Sequence, residues 1–302
     1  MIGQKFVDPV SQQHYALTQH DSFISASFYA MASPCEILVE TTDTFIAHTL
    51  AKICIAEVDR IVAKFSRYLP GNICHSINNN QGKYIQLDNE TMRLIDFGQT
   101  CYALSDGLMD LTSGILRKAW YFDGSDNIPT QSKIDTLLPF IGWDKMTIKE
   151  DGITLPRMME LDFGAIGKEY ATSKLCELSK RYTPDTSVLI NLGGDIQVTH
   201  PRRDASPWFV GIESSEEVIP LVKGALATSG NTKRYLIKDG IRYGHIINPK
   251  TGWPVQNAPS LVTIHTSLCI QSGCLATIAL LKGSQAIAFL EAQDVQYWVK
   301  NT

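Results

Sequence analysis

The amino-acid sequence predicts an α+β protein with largely antiparallel sheet, on three observations. Strand-like stretches are short and bounded by Gly or Pro, helical stretches fall among them without strict alternation, and two strand patterns adjoin around Ser33-Pro34 with no helix between. Residues 1 to 22 are polar without clear period and read as a lead-in tail or strand. Ser25 to Met31 and Cys35 to Val39 follow as strands. From Thr44 to Phe65, apolar residues recur at helical spacing and stop before Leu69-Pro70-Gly71, which predicts an amphipathic helix. A second helix is expected from Thr91 to Leu104. The stretch 123–151 mixes Pro, Gly and Asp with short apolar runs and reads as a lobe boundary or an excursion.

The second half opens with a strand ending at Met159-Glu-Leu-Asp-Phe163, a turn at Gly164, and a helix from Ile166 to Tyr182 closed by Thr183-Pro184. Ser187 to Asn191 and Asp195 to Val198 read as strands broken by Gly193-Gly194. Leu261 to Ile264 is a further strand, and Gly273–Leu281 and Ala286–Glu291 are helices.

Composition excludes several classes. With 302 residues, 44% hydrophobic and 19% charged, the chain has the balance of a folded globular protein of one large or two ordinary domains. A net charge of -4 supplies no basic surface for nucleic acid. Apolar runs such as Leu275–Leu281 fall short of the roughly 20 residues a membrane span needs. Met1 to Val10 has no signal-peptide pattern, so the chain as given reads as cytoplasmic. The seven cysteines include no C-x-x-C pair and read as buried apolar residues, as do Trp120, Trp143, Trp208 and Trp253.

Dinucleotide, Walker, zincin and nucleophile-elbow signatures are absent, but four Gly-rich or polar turns stand at strand ends: Gly164-Ala165, Gly193-Gly194-Asp195, Ala227 to Asn231 and Gly244 to Gly252. Turns of this kind expose backbone N–H groups and hydroxyls suited to phosphate, and Lys168 stands in the first turn of the helix after one of them. His245, between a Gly and a Pro-bounded turn, has the residue type of a general base or of a hairpin-end hydrogen-bonding group.

The ordered set Ser105-Asp-Gly-Leu-Met-Asp110, Leu161-Asp-Phe-Gly-Ala-Ile-Gly-Lys168, Asn191-Leu-Gly-Gly-Asp195, Ala227-Thr-Ser-Gly230 and Tyr243-Gly-His-Ile-Ile-Asn-Pro-Lys-Thr-Gly252 resembles the ApbE family of FAD:protein FMN transferases. Met31-Ala-Ser33, Ser66-Arg-Tyr68 and Leu275-Ala-Thr277 extend the likeness to roughly residues 25 to 298. The resemblance implies a single two-lobed domain over 23–300 with FAD bound in a cleft between the lobes. The implied reaction cleaves the FAD pyrophosphate with Mg²⁺ and transfers FMN to a Thr or Ser of an acceptor protein, releasing AMP. By motif match His245 is the base. Met31 and Tyr68 line the flavin pocket, Asp110 and Asp162 contact the nucleotide, Lys168 approaches its phosphates, Thr228 sits at the pyrophosphate and Ile246 is a further cofactor-binding residue. The metal takes the Ala165 carbonyl, the Ala276 region and the Thr277 hydroxyl.

Four departures accompany the match. Where the family carries Asp-Ala-Leu-Ala-Thr, this chain has Gly273-Cys-Leu-Ala-Thr277, so the expected metal carboxylate is missing. Asn248, Glu169 and Ser173 replace an Asp, a Gly and an Asp. Three readings stand open: Glu169 substitutes for the lost ligand, the metal binds weakly through phosphates and water, or the chain is an FAD-binding protein or weak pyrophosphatase without transfer.

Overall fold

A computed structural model describes residues 4–7 (backbone), 14–212, 216–231 and 234–301. Nine strands form one sheet: β1 Gln4–Val7, β2 His14–Gln19, β3 Ile24–Ala30, β4 Ser33–Val39, β5 Val188–Leu192, β6 Asp195–Val198, β7 Gly224–Gly230, β8 Leu261–Thr266 and β9 Gln296–Lys300. They lie in chain order across the sheet, each antiparallel to the next. The predicted class is therefore observed, and the lead-in segment contributes the edge strand β1 and its neighbour β2.

Most of the chemistry-bearing sequence lies in the connections. Between β4 and β5 run helices α1 Thr44–Phe65, α2 Ile73–Asn79, α3 Asn89–Leu104, α4 Gln131–Asp135 and α5 Gly167–Tyr182. Between β8 and β9 run α6 Cys269–Leu281 and α7 Ala286–Ala292. Helix α1 starts where Asp43 accepts the Phe45 N–H at 2.8 Å, and it buries Leu50, Cys54, Val58 and Ile61. These side chains meet Ile37 and Val39 of β4, Val188 and Ile190 of β5, and Ala171 and Leu175 of α5 in the main core. The opposite sheet face, with Leu189, Ile196, Leu226 and Leu261, is covered by Trp208 and Leu221 of the hairpin Trp208–Gly211/Val218–Leu221. All seven cysteines are buried, as are Trp120, Trp143 and Trp208.

One element differs in kind from expectation: residues 159–163 form no strand. Their backbone is satisfied by side chains instead, with Leu161 N–H donated to Asn78 Oδ1 at 2.7 Å, and the Asn78 and Gln81 amides donating to the Leu161 and Met159 carbonyls at 3.0 and 2.6 Å. With those groups occupied, no ladder can form. Helix α6 begins four residues before Gly273, because Cys269 N–H is capped by Gln197 Oε1 at 2.9 Å, a partner remote in sequence. The excursion over 123–151 supplies α4 and the strand Thr147–Lys149 of a small sheet with Tyr84–Gln86 and Gly152–Thr154.

Candidate active site

The site grows from one end of the large sheet, where turns and helix ends converge. The β3–β4 turn places Met31 and Ala32 at φ 49° and 58°, a left-handed pair that matches the twist of a tight hairpin. Beside it the β5–β6 turn passes so close that a Cβ on Gly193 would lie 2.5 Å from Ser33 Cβ, and Gly193 N–H donates to the Pro34 carbonyl at 3.1 Å. That contact, with φ 64°, makes glycine obligatory at 193. Met31 is half-buried against the main core.

Asp195, leaving that turn, is buried at 2% and accepts from Lys168 Nζ at 2.6 Å across the N-terminus of α5. Burial works against the Lys168 charge, but Asp195 and Glu169 hold its pKa above the ordinary value. The lysine expected at the phosphates is thus anchored, poised at the helix terminus that anions favour.

Glu169 stands next to it. Its carboxyl is enclosed between α5 and α6, and burial, then repulsion from Asp195, pushes its pKa to about 8. A Cβ on Gly273 would lie 2.4 Å from Glu169 Cγ and 3.0 Å from Oε1, so the glutamate fills the space that any side chain at 273 would need. One turn further along α6, Thr277 Oγ1 donates to Ser229 Oγ at 3.4 Å. Ala165 closes the short 3-10 turn Phe163–Ala165 ahead of α5 and is exposed. Ala276 is fully buried in the cluster of Val262, Ile264 and Leu280.

The register of β7 separates two neighbours. Ser229 pairs with Val262 on the α6 side, whereas Thr228 pairs with Thr263 on the other face, their hydroxyls 2.8 Å apart. The structure therefore brings Ser229, rather than Thr228, to Thr277 of α6. The period-two geometry of a strand forces one residue of the pair away.

His245 follows the hairpin Tyr235–Lys238/Ile241–Gly244, whose turn Asp239-Gly240 has φ 52° and 75°. Gly244 packs on Asn231 just beyond β7, where a Cβ would meet Asn231 Cβ at 2.7 Å, and this joins the histidine to the Ser229 end of the sheet. Its backbone N–H donates to the Arg234 carbonyl at 3.1 Å, while the buried Nδ1 has no partner among the described residues. Burial, with the Arg234 charge adding to it, lowers the His245 pKa to about 4, so the imidazole is neutral at pH 7. Ile246 beside it is half-buried between the main core and the α6–α7 cluster.

The two motif aspartates have structural partners. Asp110 is buried at 6% and accepts from Thr112 N–H at 2.8 Å, Thr112 Oγ1 at 2.7 Å and Trp143 N–H at 3.0 Å, while burial raises its pKa. Asp162 accepts from Gly164 N–H at 3.0 Å and pairs with Arg67. It also lies against the Gly114 backbone, where a Cβ would come within 2.5 Å of its own. Arg67 in turn donates to the hydroxyl of Tyr68 at 2.8 Å and covers its ring at 4.9 Å. Tyr68 is 77% exposed, a large aromatic face held in place and open to a planar ligand.

This arrangement groups His245, Lys168, Glu169, Thr277 and Ser229 at one end of the sheet, with the Tyr68–Arg67–Asp162 array joined to it through the turn at Ala165. Motif reading did not single out Ser229 and Arg67 and gave Asp195 no role. An alternating strand pattern offered a signal for the first; nothing local marks the others.

Comparison with known proteins defines the class. A profile of the ApbE family matches residues 31–299, and the chain belongs to the ApbE family. A FAD:protein FMN transferase of Vibrio cholerae is 27% identical over 69% of this chain and 66% of its own length. One of Klebsiella pneumoniae is 24% identical over 92% of this chain and 89% of its own. The match thus spans about two thirds of the Vibrio relative. Among solved structures, the ApbE protein of Thermotoga maritima superposes with a TM-score of 0.83 at 24% identity, covering 92% of this chain and 94% of that one. The flavin transferase ApbE of Vibrio cholerae gives 0.81 at 22%, covering 92% and 93%. Both share the fold. No helix of the described residues is long and apolar enough to cross a membrane.

Proposed function

We propose that this chain cleaves FAD at its pyrophosphate and transfers the FMN half to a Thr or Ser hydroxyl of an acceptor protein, releasing AMP. The observation that carries the proposal is His245, a half-buried imidazole, neutral at pH 7, whose enclosed Nδ1 lacks a partner among the described residues, set at the same sheet end as Lys168 and Thr277. A neutral histidine there can take the proton of an acceptor hydroxyl as its oxygen attacks the flavin-side phosphorus, while the P–O bond to AMP breaks. Lys168, at the N-terminus of α5, offers positive charge to the pyrophosphate, and Tyr68 offers its open face to the isoalloxazine ring.

The donor set fits a hard divalent cation such as Mg²⁺. The Thr277 hydroxyl, the Ala165 carbonyl and the Glu169 carboxyl are hard oxygen donors, the last two on either side of the start of α5, and the phosphates of FAD would supply more. When bound, the cation would neutralise charge developing on the phosphates.

One observation favours a second reading, FAD binding with slow hydrolysis and no transfer. Among the described residues no three His, Cys, Asp or Glu side chains cluster for a metal. Incubating the protein with FAD, Mg²⁺ and a peptide bearing the acceptor motif decides between them. Transfer predicts covalent FMN on the peptide together with AMP. His245→Ala is expected to cut the rate by about 10²–10⁴-fold. Bound FAD with no covalent FMN on the peptide, whether or not AMP is slowly released, would leave only the second reading.

A further inference from the structure

We infer that Glu169 is the carboxylate ligand of a divalent cation in this chain, supplied from α5 into the space that Gly273 leaves open on α6. The inference rests on the flavin-transferase reading for its substrate, and on three observations for its geometry. Gly273 is buried in the interior of a helix, where glycine costs about 1 kcal/mol against alanine and calls for a steric reason. Glu169 is that reason: its Cγ would stand 2.4 Å from a Cβ at 273, so the two positions can hold one long side chain between them.

Second, the enclosed Glu169 carboxyl receives no side-chain hydrogen bond among the described residues, and the one cation beside it, Lys168, is already committed to Asp195 at 2.6 Å. Two carboxyl groups thus stand beside a single ammonium, which is bound to only one of them. Third, residues 273 and 277 lie one turn apart on α6, so the carboxyl at 273 and the Thr277 hydroxyl lie along one helix face. A carboxylate, a hydroxyl and the Ala165 carbonyl are all hard oxygen donors, and an FAD pyrophosphate would complete the shell of a Mg²⁺-sized ion. The missing acid at 273 is, on this account, relocated across the α5–α6 contact.

The test reads cation binding directly. Mn²⁺ binding to the full chain is measured by electron paramagnetic resonance, with and without FAD and with no acceptor peptide, and Mg²⁺ competition confirms the site. Glu169→Gln is expected to weaken Mn²⁺ binding by at least about 10–100-fold, the range known for outer-shell losses. Gly273→Asp alone is expected to lower the melting temperature and add no affinity, because the new side chain collides with Glu169. The double variant Glu169→Gly with Gly273→Asp, which returns the acid to α6 and clears α5, is expected to recover most of the lost affinity. Wild-type Mn²⁺ affinity in a folded Glu169→Gln protein overturns the inference, as does absence of bound Mn²⁺ in the wild type both with and without FAD. The two readings fail separately. Mn²⁺ lost in Glu169→Gln from a protein that transfers no FMN sinks the transfer reading and leaves the ligand standing. FMN transfer with unchanged Mn²⁺ binding does the reverse.

Discussion

Two regions of this molecule bury carboxyl groups, and they do so in opposite ways. Around Asp110 the buried carboxyl accepts three hydrogen bonds from the protein, two from Thr112 and one from the Trp143 N–H. Around Asp195 and Glu169, two enclosed carboxyls have one lysine between them. A saturated carboxyl is a bracket that joins the 3-10 turn Leu111–Lys118 to the loop at Trp143. An under-supplied pair marks a place where charge is exchanged with something from outside. Motif reading assigned Asp110 to the nucleotide and gave Asp195 no role, and the two carboxyl environments supply the contrast on which that assignment can be tested.

The largest expected effect tests the under-supplied side. Lys168→Met leaves Asp195 buried without its partner, and breaking such a pair costs about 3–5 kcal/mol. Urea unfolding at pH 7 should show that loss. A change below about 1 kcal/mol, the ordinary worth of a surface pair, would mean that the Lys168–Asp195 contact is a solvated one and would break the comparison.

Next in size is the acid sensitivity set by His245. Its folded pKa is lowered to about 4 against an ordinary 6.5. Between those values the unfolded chain holds a proton that the folded one refuses, so stability is lost as pH falls from 6.5 towards 4. At about 1.4 kcal/mol per pKa unit the loss approaches about 3 kcal/mol. His245→Gln removes this group, so its unfolding free energy should fall correspondingly less between pH 7 and pH 4. Equal losses in both proteins would show that the imidazole titrates normally. In the transfer assay, kcat/KM should hold its plateau below pH 6, because the base stays neutral there.

The bracket side predicts a smaller and cleaner change. Asp110→Ala strands the Thr112 and Trp143 N–H groups, for a loss of about 1–3 kcal/mol in unfolding free energy. FAD affinity, measured by flavin fluorescence well below the melting temperature, should stay at the wild-type value. A tenfold weaker FAD complex in a protein of unchanged stability would return Asp110 to the nucleotide and erase the distinction between the two regions.

What the sequence made legible follows from how far each signal reaches along the chain. The bounds of α1 agree with expectation residue for residue, because its apolar period, its Asp43 cap and the Leu69-Pro70-Gly71 stop are all local. The strand expected at 159–163 failed because Asn78 and Gln81, distant in sequence, claim its backbone. The hairpin over Tyr235–Gly244 did have a local sign, the Asp239-Gly240 pair with both residues at positive φ, which is the commonest two-residue hairpin turn. Motif order assigned His245, Lys168 and Thr277 to one ligand site, while their placement at one sheet end is visible only in the fold. The meeting of Glu169 with Gly273 depends on how α5 packs on α6, and no spacing within either helix encodes it.

The smallest effect separates adjacent residues of one strand. Thr228 and Ser229 share the turn-like sequence Ala227-Thr-Ser-Gly230, yet the register of β7 against β8 turns Thr228 to Thr263 and Ser229 to Thr277. Thr228→Val removes one neutral hydroxyl pair at 2.8 Å, a loss of about 1 kcal/mol in stability with little change in transfer rate. Ser229→Ala removes a hydroxyl that touches Thr277 at 3.4 Å, so it should leave stability nearly unchanged and weaken Mg²⁺ dependence, read as a higher Mg²⁺ concentration for half-maximal transfer. The opposite pattern, with Thr228→Val shifting the Mg²⁺ requirement and Ser229→Ala silent, would place the pyrophosphate on the far face of the sheet. The cation-binding end would then have to be rebuilt around the Thr228–Thr263 pair, leaving the α5–α6 contact a matter of packing alone.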